Sequence, residues 1–283
     1  MAAADFSRSY EKLPRGVGKN SQSGSTFLTL AAIFLGGALM VMAEGAMSEQ
    51  EKVEGRLDRS GQLFVVTTAD WGAVDGELRR FERAAAGQGR WKQVGGVVPV
   101  VVGRNGLAWA ADQASQWAGM HSSGGPIKRE GDGKSPAGLF SLSAAFGYAD
   151  QSDISPLRMP YLRALPSVVC VDDPASRHYN RIVDRAAMAG QDWQSAELMR
   201  REDDQYRWGV VVDHNFPATR PGDGSCIFLH IWEGRGKGTA GCTAMESARM
   251  EEILKWLDAA SNPLLIQLPD AEYRHWRKRF HLP

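Results

Sequence analysis

Two side chains in this sequence have the types and spacing that nucleophilic chemistry needs: His230 and Cys242. His230 lies inside the apolar run Ile227-Phe228-Leu229-His230-Ile231. Cys242 ends a Gly-rich stretch, Glu233 to Gly241, that reads EGRGKGTAG. A free thiol has a pKa of about 8.5, and only its thiolate attacks, so a cysteine nucleophile needs a base within roughly 3 Å. A strand-borne histidine and a cysteine joined by one loop can meet in that way. Gly241 lets the backbone bend tightly beside the sulfur, and N–H groups at the bend can face an oxyanion. Cysteine also fills cores as a small apolar residue, so spacing alone leaves a structural role open for both side chains.

The neighbouring elements must position this pair. If residues 226–232 (CIFLHIW) form a strand, Phe228, His230 and Trp232 share one face. Thr243-Ala244-Met245-Glu246 reads as a capping box with Thr243 as N-cap, and Met250, Ile253, Leu254 and Leu257 continue at helical spacing. That pattern predicts Cys242 at the positive end of a helix, where the dipole and a protonated His230 would favour thiolate. Further strands are predicted at 62–67, 97–102, 168–171, 208–213 and 263–268, with Pro99 marking an edge or a strand start. Val74, Leu78, Phe81 and Ala85 predict a helix, and residues 192–200 a short one. Strands outnumber helices without alternating with them, so the expected fold is β-rich α+β with a few packed helices.

At this point the sequence resembles the L,D-transpeptidase family (the YkuD-type catalytic domain). That family carries a His followed by a Ser/Thr-x-Gly-Cys element, here His230 and Thr239-Ala240-Gly241-Cys242. A second block, Lys128 to Phe140 (KREGDGKSPAGLF), looks like the family's Gly-rich segment upstream of the catalytic strand. The resemblance spans about residues 62–268. It implies a β-sandwich-like catalytic domain acting on peptidoglycan stem peptides through a cysteine thioester. It further implies Cys242 as nucleophile and His230 as general base. Gly241, Thr239 and Thr243 would line the oxyanion and substrate-binding turn. No cofactor or metal is implied. An amine acceptor makes the activity a transpeptidase, and water makes it an L,D-carboxypeptidase. The chain differs from the family pattern in a short loop of eleven residues between His230 and Cys242, in Ala240, and in Thr243-Ala244. With the usual basic residues missing there, Arg235 and Lys237 become candidates for holding a substrate carboxylate.

Composition agrees with an enzyme of the cell envelope. Lys plus Arg and Asp plus Glu both number 33, a net charge of zero that lacks the basic footprint of a nucleic-acid binder. Residues 27–42 (FLTLAAIFLGGALMVM) carry no charge and follow Arg8, Lys12, Arg15 and Lys19. A basic stretch before an apolar one is the export pattern. Residues 1–46 are therefore expected to be a signal peptide or an N-terminal membrane anchor. Residues 47–61 read as a linker, 62–270 as the catalytic domain and 271–283 as a basic tail. Either N-terminal reading puts the domain outside the cytoplasmic membrane, with membrane contact only through that segment. Three cysteines in an oxidising compartment suggest one disulfide and one free thiol. A bond through Cys242 would consume the nucleophile, which leaves Cys170–Cys226 or two unpaired buried cysteines.

Other motifs fit less well. Gly131-Asp132-Gly133-Lys134-Ser135 lacks the glycine that a P-loop has five residues before Gly133, where Lys128 stands. His178, Asp184, Glu272 and His275 only loosely match the ligand spacing of zinc D,D-peptidases. His214 ends a strand candidate and could orient His230 or line the cleft. A non-enzymatic reading, an inactive peptidoglycan-binding module that merely retains Cys242, has the His–Cys pairing against it.

Overall fold

The computed structural model describes residues 48–83, 89–116, 119, 124–154 and 157–283. The expected export segment, 1–46, lies outside them. Among the described residues no helix is long and apolar enough to cross a membrane. In chain order the elements begin with α1 (Glu49–Asp58), β1 (Gln62–Thr68), β2 (Asp75–Glu82), β3 (Lys92–Val101), β4 (Leu107–Trp109) and α2 (Ala111–Gln116). The middle of the chain gives β5 (Ser135–Gly147), β6 (Tyr161–Arg163), β7 (Val168–Val171), β8 (Arg181–Asp184) and β9 (Ala196–Leu198). Then come β10 (Trp208–Val212), β11 (Phe228–Ile231), β12 (Thr243–Met245), α3 (Ser247–Trp256), β13 (Leu264–Pro269) and α4 (Asp270–Phe280).

The main sheet runs β10-β11-β12-β3-β2-β1-β13-β5-β4, and β10 also pairs with β5, so the sheet closes on itself. The thirteen-residue β5 makes closure possible. Its first half, Gly138–Ser141, pairs with β13, and its second half, Leu142–Gly147, pairs with β10. The barrel interior is apolar, with Val66, Leu78, Val100, Leu139 and Ile266 almost fully buried. Strand β1 is buried along its whole length between β2 and β13, which explains its unbroken run of apolar and Thr residues. A second sheet of three short strands, β8-β7-β9, stands apart from this barrel in its hydrogen bonding. The β-rich, sandwich- or barrel-like fold with few helices is thus the one expected from sequence.

Several local expectations are corrected. Residues 75–82 form strand β2 rather than a helix. Leu78, Arg80 and Phe81 are buried there, and the ladders to β1 and β3 satisfy the backbone. Residues 196–198, inside the expected helix at 192–200, form β9 against β7. Thr243 caps no helix: it opens strand β12, and the helix begins at Ser247 with Glu246 as N-cap. The apolar spacing was sound, because Met250, Ile253 and Leu254 are buried, but it starts one strand later than the capping pattern suggested. The expected linker contains α1, whose Val53 and Leu57 join the core and whose Ser48–Glu51 capping box fixes its start. The expected basic tail is largely α4, held by buried Trp276 and Phe280 while its cations face outward. Pro99 lies within β3, where it faces Glu77 of β2; β12 covers only Val100 and Val101, so its missing N–H disrupts no ladder on that side.

Candidate active site

Strands β11 and β12 are parallel neighbours, with Leu229 opposite Thr243 and His230 opposite Ala244. One residue back in this register, Phe228 meets Cys242, and the Phe228 N–H donates to the Cys242 sulfur at 3.3 Å. Cys242 thus sits just ahead of β12, with its sulfur against β11, the strand that carries His230. Both line a cleft of about 520 Å³. Its walls also carry Tyr206, Glu197, Arg201 and Arg104.

The turn before Cys242 is tied from several directions. The Thr239 hydroxyl donates to the Cys242 carbonyl at 2.6 Å and accepts the Gly241 N–H at 3.1 Å. The Ser135 hydroxyl donates to the same carbonyl at 2.8 Å and accepts the Gly103 N–H. Gly241 is closely packed, since a Cβ there would lie 3.3 Å from both Ile227 Cδ1 and the Lys134 carbonyl. Gly238 is tighter still, with the Arg104 backbone 2.4 Å from where a Cβ would stand.

Burial sets the protonation of the pair. Cys242 is 6 % exposed. Desolvation, with the negative charge of Glu197 added to it, pushes the thiol up to about 12 against opposing hydrogen bonds from Phe228 and Tyr206. His230 is pushed down to about 4 by burial, despite its bond to the Ile231 carbonyl. Near neutral pH the resting site therefore holds a thiol and an uncharged imidazole. The expected thiolate–imidazolium pair is corrected on two counts: burial neutralises His230, and no helix starts at Cys242. His230 Nδ1 lies 2.7 Å from the Ile231 carbonyl, which can only accept, so Nδ1 carries the proton and the Nε2 lone pair is left for base work. The group that orients His230 is thus a backbone carbonyl.

Of the other residues singled out from sequence, Thr239 and Gly241 line the cleft. Thr239 acts on the turn through the bonds above, and the Gly241 N–H is engaged by it. Thr243 does not line the cleft; it is buried, and its hydroxyl donates to Gln267 Oε1 at 2.6 Å across to β13. Arg235 and Lys237 are also absent from the cleft walls, where Arg104 and Arg201 stand instead. His214 is buried elsewhere, with Nε2 at 2.9 Å from the Asp223 carbonyl. His178 packs edge-on against Trp193, and Asp184 caps a short turn of helix. Glu272 and His275 belong to α4, and no metal-sized group of three His, Cys, Asp or Glu occurs among the described residues.

The Gly-rich segment at 128–135 is a hydrogen-bonded turn. Asp132 takes Lys128 Nζ at 2.7 Å and the backbone N–H groups of Arg129 and Lys134. Glu130 reaches into the cleft and accepts from the hydroxyls of Ser225 and Tyr179.

Cys170 and Cys226 form a disulfide, and Cys242 is free. The bond joins β7 to the residue whose carbonyl lies 3.4 Å from the Cys242 sulfur. Tyr206, Glu197 and Arg201 had no sequence signal. They come from a loop and from the three-stranded sheet, and only tertiary packing brings them to the sulfur.

The family model described as L,D-transpeptidase catalytic domain (YkuD) matches residues 85–266, more than half of the chain, and includes both Cys242 and His230. No curated protein matches the sequence.

Proposed function

The chain belongs to the L,D-transpeptidase catalytic-domain family, whose members act on peptidoglycan stem peptides, and from that premise we propose that it is a peptidoglycan L,D-transpeptidase working through a Cys242 thioester. The observation that carries the proposal is that Cys242 and His230 line one cleft, with the Cys242 sulfur against the strand that bears His230.

In this mechanism a stem peptide enters the cleft and excludes water. His230 Nε2 takes the Cys242 proton as the sulfur attacks the carbonyl carbon of the amide linking an L-centre to the terminal D-residue. The neutral resting pair suits this order, because charge separates only when the carbonyl is in place to accept it. The tetrahedral oxyanion is held at the Gly241–Cys242 turn, whose geometry Thr239 and Ser135 fix. The imidazolium returns its proton to the leaving amine, and the D-residue departs. His230 then deprotonates an amine from a second stem, which attacks the thioester and regenerates the thiol. Arg104 and Arg201, which line the cleft, take the place of Arg235 and Lys237 as the cations assigned to a donor carboxylate.

We place the enzyme outside the cytoplasmic membrane, carried there by residues 1–46. The Cys170–Cys226 disulfide supports this, since such bonds persist in oxidising compartments. The test is incubation of the purified protein with tetrapeptide muropeptides, followed by mass spectrometry. Cross-linked dimers with release of the D-residue are expected, and Cys242→Ala should give none. Tripeptide without dimers would indicate a carboxypeptidase. Unchanged muropeptides with no acyl-enzyme would refute catalysis.

A further inference from the structure

Tyr206 touches both members of the catalytic pair. Its ring lies edge-on to the His230 imidazole, with centroids 5.0 Å apart, and packs in the same way on Phe228 and Phe146. Its hydroxyl donates to Glu197 Oε1, and the residue packs with Cys242 in one buried cluster that lines the cleft. Tyr206 is 2 % exposed and Glu197 is three-quarters covered, so this is a built network rather than a surface coincidence. Glu197 reaches it from β9, where it pairs with Cys170 of β7, the residue in the disulfide. Arg201 Nη1 stands 3.7 Å from the same carboxylate oxygen.

We infer that Tyr206 is a further catalytic residue, whose hydroxyl stabilises the developing Cys242 thiolate, and that Glu197 is the positioning residue that sets where that hydroxyl points. The inference rests on the Cys242 reaction proposed above. One O–H can serve one acceptor well. In the resting thiol state the hydroxyl donates to Glu197. When the thiol proton passes to His230 Nε2, the O–H turns to the negative sulfur, and Arg201 remains as the partner of Glu197. No proton leaves Tyr206. Once the C–S bond forms and the sulfur loses its charge, the O–H returns to Glu197. Glu197 thus opposes the thiolate twice, by its own charge and by competing for the hydroxyl. Tyr206 supports it.

The two side chains should therefore act in opposite senses. The charged groups that face them are few. Arg201, Asp172 and Glu130 act electrostatically on Glu197, Glu197 and Arg201 on the Cys242 sulfur, and Arg201 and Asp203 on His230. The experiment is the rate of Cys242 alkylation by iodoacetamide between pH 6 and 9, a reaction that reads thiolate without needing the natural substrate. With the disulfide intact, Cys242 is the one cysteine available. Tyr206→Phe, which keeps the ring against His230, is expected to lower the rate about 10-fold or more across the range, the worth of a hydrogen bond to a charged group. Glu197→Gln, which keeps the shape, is expected to raise it. A cleft merely loosened by mutation would speed both. A rate unchanged or raised in Tyr206→Phe overturns the catalytic role, and a rate unchanged or lowered in Glu197→Gln overturns the positioning role. Circular dichroism and thermal melts check that both variants are folded. In turnover of tetrapeptide, Tyr206→Phe should lower kcat for acylation with KM changed less than about twofold. Wild-type protein that processes no muropeptide would refute the proposed reaction, yet leave the alkylation comparison to decide this one.

Discussion

Replacing both Cys170 and Cys226 by alanine should cost stability by an amount that the chain path itself sets. The two residues are 56 apart in sequence, and their bond ties β7 of the small sheet to the stretch leading into β11. A cross-link closing a loop of that length removes roughly 14 cal/mol/K of entropy from the unfolded chain, or about 4 kcal/mol at 25 °C. For a domain of this size each kcal/mol moves Tm by about 2–4 °C, so a fall of roughly 8–16 °C is expected. Loss of packing adds little, because alanine keeps the Cβ and each site gives up one sulfur.

The measurement is thermal unfolding by circular dichroism at neutral pH without reductant, comparing wild type with the Cys170→Ala/Cys226→Ala protein. Wild type treated with dithiothreitol should melt near the double variant. Turnover at 25 °C, where both proteins are folded, then separates stability from function. Activity should fall in the variant, because the Cys226 carbonyl lies against the Cys242 sulfur and Glu197 sits on the neighbouring strand. A Tm within about 2 °C of wild type would refute the loop-closure reasoning. Unchanged activity at 25 °C would refute the link between the small sheet and the nucleophile.

Further outcomes follow from the site. Cys242→Ala should abolish turnover and leave Tm within about 2 °C, as measured by muropeptide mass spectrometry and melting, since the side chain packs against the cleft rather than inside the barrel core. His230→Ala should slow acylation by about 10²–10⁴, the usual worth of a general base, in a single-turnover assay. With the His230 pKa pushed down to about 4, the acidic limb of kcat/KM should lie near pH 4 to 5 rather than at 6.5, because activity is lost only as the base is protonated. The same residue is neutral when folded and charged when unfolded below pH 6.5. Its contribution to stability should decline as pH falls from about 6.5 to 4, visible as a Tm that drops more steeply in wild type than in His230→Gln over that window. Thr239→Val removes a hydroxyl that the Cys242 carbonyl and the Gly241 N–H both use, and should cost about 1–3 kcal/mol in urea unfolding along with a fall in kcat.

The sequence was most legible where a pattern has a local cause. The apolar β-branched runs at 62–67, 168–171 and 208–213 became strands because burial on both faces asks for such residues. That Cys242 and His230 line one cleft was readable from one loop and one family motif. Misreadings arose where two local patterns competed. Thr243-x-x-Glu246 matches a helix cap, but the neighbouring β11 and β3 captured Thr243–Met245 as a strand and moved the helix start to Ser247. Leu78 and Phe81 suit a helix by spacing, yet β1 offered a full antiparallel ladder. The Glu197 environment was invisible for a different reason. A three-residue strand has too short a period to detect, and its role depends on a fold of about thirty residues, 168–198, coming back over the cleft.

That small sheet explains why the Cys242 thiol is held so far from its ionised form. The barrel alone supplies the strand that carries His230, the strand that Cys242 leads into, and one wall of the cleft. The opposite wall is β9 with its Glu197 and the loop that follows, carrying Arg201 and Tyr206. Glu197 belongs to the sheet that the disulfide fastens to the Cys226 segment, and the loop with Arg201 and Tyr206 leads directly out of it. Covering the sulfur removes water, which raises the thiol, and adds a carboxylate, which raises it further. A thiol so protected resists adventitious oxidation and alkylation in an oxidising compartment, since both proceed through thiolate. In the proposed reaction the cost is a larger barrier to forming the thiolate, and the role inferred for the Tyr206 hydroxyl offsets part of it. Removing the negative charge alone should therefore trade protection for reactivity. Glu197→Gln protein exposed to dilute hydrogen peroxide should lose its free Cys242 thiol faster than wild type, as counted with a thiol reagent after quenching. Equal rates of loss in the two proteins would show that burial alone, without the carboxylate, keeps the sulfur inert.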